Sequence, residues 1–130
     1  MSSPLLLDII TYLTDNDAVK GDGIDAFRDF SPEEPDNIVV VTEYSGSPQV
    51  PFEPLVHRSV QVSVRNISAD MARRKALEIY KLLQSETKRI DFTPERWGQV
   101  SLRQTPFRMN TDTQDRVTYC FNIGVTTTIE

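Results

Sequence analysis

The sequence predicts an α+β fold: one two-layer domain in which a mostly antiparallel four-stranded sheet carries two main helices on one face. Three observations predict it. The chain has 130 residues, enough for one domain and too few for two. Two stretches have a helical period of apolar positions, three alternate with a strand period and one is a β-branched apolar run, in the order α-β-β-α-β-β. Two hairpins joined by a helix then place both helices over one sheet face. Residues 1–130 are accordingly read as a single domain.

The first helix opens at Ser3 and Pro4. The serine can cap free amides, and proline suits the first helical position because its missing N–H would go unbonded anyway. Leu6, Ile9, Ile10 and Leu13 fall on one face, and Asp15, Asn16, Asp17, Gly21 and Gly23 end the pattern. Residues 17–37 are acidic and irregular. Ile24, Phe27 and Phe30 are expected to pin this connection to the core, and Ser31-Pro32-Glu33-Glu34 has the spacing of a capped single helical turn.

Residues 37–44 are β-branched and aromatic, a strand whose apolar run marks it as central or as facing a partner. Residues 45–54 hold three prolines and one glycine, an extended loop too proline-rich for a sheet interior. From His57 to Arg65 the chain alternates, with Val60, Val62 and Val64 inward and Ser59, Gln61, Ser63 and Arg65 outward. Ser68 caps the second helix, over residues 69–85. Its buried stripe is Ala72, Ala76, Ile79, Tyr80 and Leu83; Arg73, Arg74, Lys75, Glu78 and Lys81 lie on the wet side.

Residues 93–98 read as a second capped turn closed by Gly98, residues 100–105 as a short strand, and residues 106–115 as a polar loop. The last strand puts Val117, Tyr119, Phe121, Ile123 and Val125 on one face, and Thr118, Cys120, Asn122, Gly124 and Thr126 on the other. The outer sheet face, with Arg65, Arg103, Asn122 and Thr126, is polar enough to meet water or a wet interface.

Composition narrows the class of protein. A chain 38% hydrophobic and 25% charged is ordinary for a globular domain and argues against disorder. Cys120 is the sole cysteine, which excludes an intrachain disulfide and a cysteine-cluster zinc site. No apolar run approaches the roughly 20 residues that span a bilayer. The first residues lack a basic region and are interrupted by Asp8, unlike a signal peptide. A soluble, intracellular protein with no membrane partner is expected. The net charge of −5 conceals an asymmetry: residues 1–54 carry −9 and residues 55–130 carry +4. The split is either an accident of chain order or a surface that docks head to tail on copies of itself.

Catalytic chemistry is hard to place. His57 is the only histidine and starts a strand; Cys120 lies mid-strand, with no glycine turn or helix start to activate a thiolate. An enzyme would need these two brought within hydrogen-bond reach. The run from Asp15 to Asp25 resembles a calcium loop in composition and fails it in spacing, with Lys20 where glycine is required and Ala26 where glutamate is required. Gly21 and Gly23 follow a helix and an acidic run, where phosphate is repelled. Arg73, Arg74 and Lys75, with Arg65 near in sequence, form a small basic patch that is either a nucleic-acid contact or a solvated helix face. No catalytic residue, cofactor or metal ligand is assigned, and the residues point to a binding or assembly domain.

Taken together, three segments and their order resemble the tail-terminator proteins of long-tailed bacteriophages, also called tail-to-head joining or minor capsid proteins. They are the opening helix Leu5-Leu6-Leu7-Asp8-Ile9-Ile10-Thr11-Tyr12-Leu13, the strand Arg58-Ser59-Val60-Gln61-Val62-Ser63-Val64-Arg65 with the helix Ala72-Arg73-Arg74-Lys75-Ala76-Leu77-Glu78-Ile79-Tyr80-Lys81-Leu82-Leu83, and the final strand Arg116-Val117-Thr118-Tyr119-Cys120-Phe121-Asn122-Ile123. The resemblance implies an antiparallel sheet with helices against it, and a homo-oligomeric, hexameric ring. Such a ring caps the tail tube, stops its polymerisation and presents a surface to a head-completion or neck protein, while DNA passes non-specifically through the hole. It implies a virion protein of the tail or neck, assembled in the host cytoplasm, with no catalytic residues.

Within that frame the stiff loop at Pro48, Pro51, Phe52 and Pro54 is one expected contact with the tube or neck. The segment with Phe107 and Arg108 is a second, and Arg73 and Arg74 are a third. Each is otherwise a passive surface. Two rivals stay open: another neck or tail-completion component, and a ferredoxin-like regulatory domain that binds a small molecule, which a ligand-sized apolar pocket would favour.

Overall fold

Among the described residues a seven-stranded mixed sheet, curled into a half-barrel, carries two helices. The computed structural model describes residues 4–44, 55–84, 90–92 and 97–128. The elements are α1 (Pro4–Asp15), β1 (Ala26–Arg28), β2 (Ile38–Tyr44), β3 (Leu55–Asn66), α2 (Ala69–Gln84), β4 (Ile90–Asp91), β5 (Trp97–Leu102), β6 (Phe107–Thr111) and β7 (Val117–Thr128). The strand order is β1-β2-β3-β7-β5-β4, with β6 also paired to β7. Among the described residues no helix is long and apolar enough to cross a membrane.

The expected four-stranded, mostly antiparallel sheet is therefore corrected. Its four strands survive as β2, β3, β5 and β7, and three more join them. One of the additions, β1, runs parallel to β2, pairing Ala26, Phe27 and Arg28 with Val39, Val40 and Val41. Three residues are too few to display alternation, so the strand hid in the irregular acidic stretch. Similarly, β6 hid in the expected polar loop because all five of its residues are exposed and none marks a buried face. The two-residue β4 is equally short.

Two long strands organise the sheet. Antiparallel pairing joins β3 to β7 along all 12 residues, from Leu55 with Thr128 to Asn66 with Val117. The outer edge of β7 is then divided: β6 takes its first part, with Phe107 opposite Cys120 and Thr111 opposite Val117. The rest goes to β5, with Leu102 opposite Ile123 and Gly98 opposite Thr127. Val39, Val41, Val60, Val62, Val64, Phe121, Ile123 and Val125 make one apolar face, and both helices cover it. Complete burial of each such side chain contributes about 1.5–3 kcal/mol relative to exposure.

The helices follow from their periods. In α1 the positions Leu6, Ile9, Ile10 and Leu13 are all buried. Its end is a Schellman motif: the Ala18 amide donates to Leu13 O at 2.9 Å and the Asp17 amide to Thr14 O at 3.0 Å, with Asp17 at φ 61°. In α2, Ser68 Oγ accepts from the Met71 amide at 3.3 Å, the expected cap, and Ala72, Ala76, Ile79 and Leu83 are buried. Tyr80 packs edge-on against Phe121. Ser3 and residues 93–96 lie outside the described residues; Trp97 and Gly98 belong to β5 rather than to a turn.

Candidate interaction surfaces

The region that sequence reasoning missed is a pair of buried arginines. Arg65, expected on an outer face that meets water or a wet interface, is only 9% exposed, because residues 31–36 fold across it. Those residues form no helical turn. They run through a cis Glu34–Pro35 peptide and turn their carbonyls inward. Arg65 donates to the carbonyls of Asp36 (3.1 Å), Pro32 (2.7 Å), Pro35 (2.8 Å) and Glu33 (3.3 Å), and to Ser31 Oγ (3.2 Å). Arg116, 4% exposed, donates to Glu33 O at 2.6 Å and to Asp112 Oδ2 at 2.8 Å.

These contacts set the local charge. Burial, then the neighbouring Arg116, lowers Arg65 from the ordinary guanidinium value. The Arg116 amide, which donates to Asp112 Oδ1 at 2.9 Å, leads the causes that hold the Asp112 carboxyl below the usual carboxylate range. The clasp ties the acidic connection to β3 and to the start of β7. One sequence signal pointed to it: an arginine ends the alternating strand His57 to Arg65 just where a long acidic segment needed an anchor.

Ile24 and Phe30, expected to pin this connection, are instead 59% and 64% exposed; only Phe27 is half-buried, in β1. Asp25 accepts from the amides of Lys20 (2.9 Å) and Gly21 (3.2 Å), and Asp22 pairs with Arg28 at 3.1 Å. The acidic stretch is thus a hydrogen-bonded turn. No group of three potential metal ligands occurs among the described residues.

The expected contacts do not converge. Pro48, Pro51, Phe52 and Pro54 lie outside the described residues; their flanks are the end of β2 and the start of β3. Phe107 and Arg108 stand on β6 opposite Cys120 and Tyr119, about 25 Å of strand from the Leu55–Thr128 pair. Phe107 is exposed, and Arg108 donates to Thr111 Oγ1 at 2.8 Å. Arg73 and Arg74 lie on the solvent side of α2, where both pair with Asp70, at 3.2 and 2.8 Å. Lys75 reaches Ala18 O and Glu78. The basic patch is therefore largely compensated within its own helix, which weakens it as a phosphate contact.

The open sheet face separates the two reactive side chains. His57 meets Thr126, with Nδ1 2.8 Å from Oγ1, whereas Cys120 sits opposite Ser63, about 20 Å further along β7. Cys120 is buried, which pushes its thiol up, and lies 3.8 Å from Met109 Sδ. No thiolate–imidazole pair forms. An apolar cleft beside Val19, Ile38 and Met71 holds about 120 Å³, well under the volume of a typical ligand site.

The described residues thus hold a curled mixed sheet with two covering helices, exposed strand edges and helix arginines paired with Asp70. The family described as "Bacteriophage tail terminator protein" matches residues 12–129, and the chain belongs to it. It is a structural component of a phage tail, hence of the virion. No curated protein matches the chain.

Proposed function

We propose that the protein closes as a homo-oligomeric, six-membered ring on the end of the tail tube, stops tail polymerisation there, and offers its far side to a head-completion or neck protein. The observation that carries this reading is membership of the tail-terminator family over residues 12–129. Its physical requirement is a heterologous interface, one patch meeting a different patch on the next copy. The opposite charges of the two halves of the chain suit such an interface. DNA passes through the lumen without sequence readout, assembly takes place in the host cytoplasm, and no reaction is catalysed. The Pro48–Pro54 region, β6, and Arg73 with Arg74 are the contact regions to vary.

The experiment is a nonsense mutation in the gene within the phage that carries it, complemented by the wild-type chain. The reading expects tails of uncontrolled length and heads without tails, both reversed on complementation. Tails of normal length joined to heads would overturn it.

A further inference from the structure

We propose that the sheet continues from copy to copy, with β6 of one protomer pairing with β1 of the next. This deepens the ring reading above and rests on it. Among the described residues β6 is bonded only to β7 and is a free edge, while the outer edge of β1 is taken at Ala26, whose carbonyl accepts from the Gly23 amide at 2.8 Å, and is open from Arg28 onward. In the parallel ladder the Val39 amide donates to Asp25 O and the Asp29 amide to Val41 O. That pattern turns the Arg28 amide and carbonyl away from β2. A free edge is a template for another chain.

Both edges carry apolar side chains that the core does not use. Ile24 and Phe30 flank β1, at 59% and 64% exposed; Phe107 and Met109 stand on β6, at 41% and 54%. Exposed apolar groups gathered on a strand edge mark a contact. Charge selects the pairing. Residues 97–111 contain Arg103 and Arg108 and no acid, while residues 15–29 contain Asp15, Asp17, Asp22, Asp25 and Asp29 against Lys20 and Arg28. A β6–β6 junction sets Arg108 against its own copy; around β1 the acids outnumber the bases and Asp22 holds Arg28, so β6 meets a net negative neighbour there.

Strand direction agrees. β1 is parallel to β2, and β2 and β7 are both antiparallel to β3, so β1 and β7 run the same way and β6 runs against them. Rotation about an axis along the strands preserves these directions. In a ring whose axis lies along the strands, β6 meets the next β1 antiparallel and the junction is heterologous, as ring closure requires.

The test uses two single-cysteine variants in a Cys120→Ala background, Asn110→Cys on β6 and Phe30→Cys beside β1. They are mixed as protomers at high salt, returned to low salt, and treated with a short bis-maleimide while native mass reports assembly. Cross-linking in the mixture and in neither variant alone is the expected result. A cross-link in Asn110→Cys alone means β6 meets β6 and overturns the proposal. Rings that form without a cross-link also overturn it, and leave the ring reading standing. A strict monomer in the parent chain removes self-assembly itself and the proposal with it. In parallel, Arg108→Glu is expected to raise the concentration for half-assembly about tenfold with an unchanged thermal melt; unchanged assembly overturns the β6 assignment.

Discussion

Arg65 and Arg116 show how a charge is kept stable out of water: nearly every donor finds a carbonyl or a carboxylate. Truncating one of them leaves those acceptors without their partner. Arg116→Met is expected to lower unfolding stability by about 1–3 kcal/mol, measured by urea denaturation. Asp112 adds a pH dependence. Its carboxyl is depressed in the folded state, so its contribution is present above the unfolded value near 4 and is lost as pH falls through the folded value. The stability difference between the parent chain and Asp112→Asn should thus be largest at neutral pH and vanish in strong acid, as read from denaturation curves across pH.

At the scale of elements, α1 ends in a Schellman motif whose left-handed position is filled by an aspartate at φ 61°. Glycine adopts that conformation without the side-chain penalty, so Asp17→Gly should stabilise the protein by about 0.5–1 kcal/mol in a thermal melt. The elements also differ in how well their residues announce them. Val60, Val62 and Val64 alternate over a long strand, and Ala72, Ala76, Ile79 and Leu83 keep a helical period over about three turns; both patterns are written in which side chains leave water. β1 and β6 leave no such trace. β1 is held by backbone pairing with β2 over three residues, and β6 exposes all five of its side chains. Arg65 was illegible for a related reason: the layer that buries it comes from residues 31–36, remote in sequence and irregular in shape. Of the expected contacts, Phe107 was legible as an exposed aromatic. The strand edge on which it stands was not, because edges depend on which neighbours are absent.

At the scale of the whole molecule, the proposed ring is expected to depend on charge distribution. Exposed complementary charges are screened over a Debye length of about 8 Å at physiological salt. Native mass across concentration should therefore show assemblies that loosen as salt rises. A size independent of salt would place the interface energy in apolar contact alone. The acidic connection deserves its place in such a surface because of how it is attached. Arg65 grips it through main-chain carbonyls, which are the same whatever residue carries them. Ser31 Oγ and the Glu33 and Asp36 carboxylates add side-chain contacts to Arg65 and Arg116, so the fastening uses main-chain atoms and these three side chains and does not use that of Glu34. Glu34→Lys should accordingly leave the melting temperature nearly unchanged in calorimetry while altering whatever meets that surface. The segment behaves like a printed label riveted by its backing: a letter that stands between the rivets, as Glu34 does, can be rewritten without loosening it.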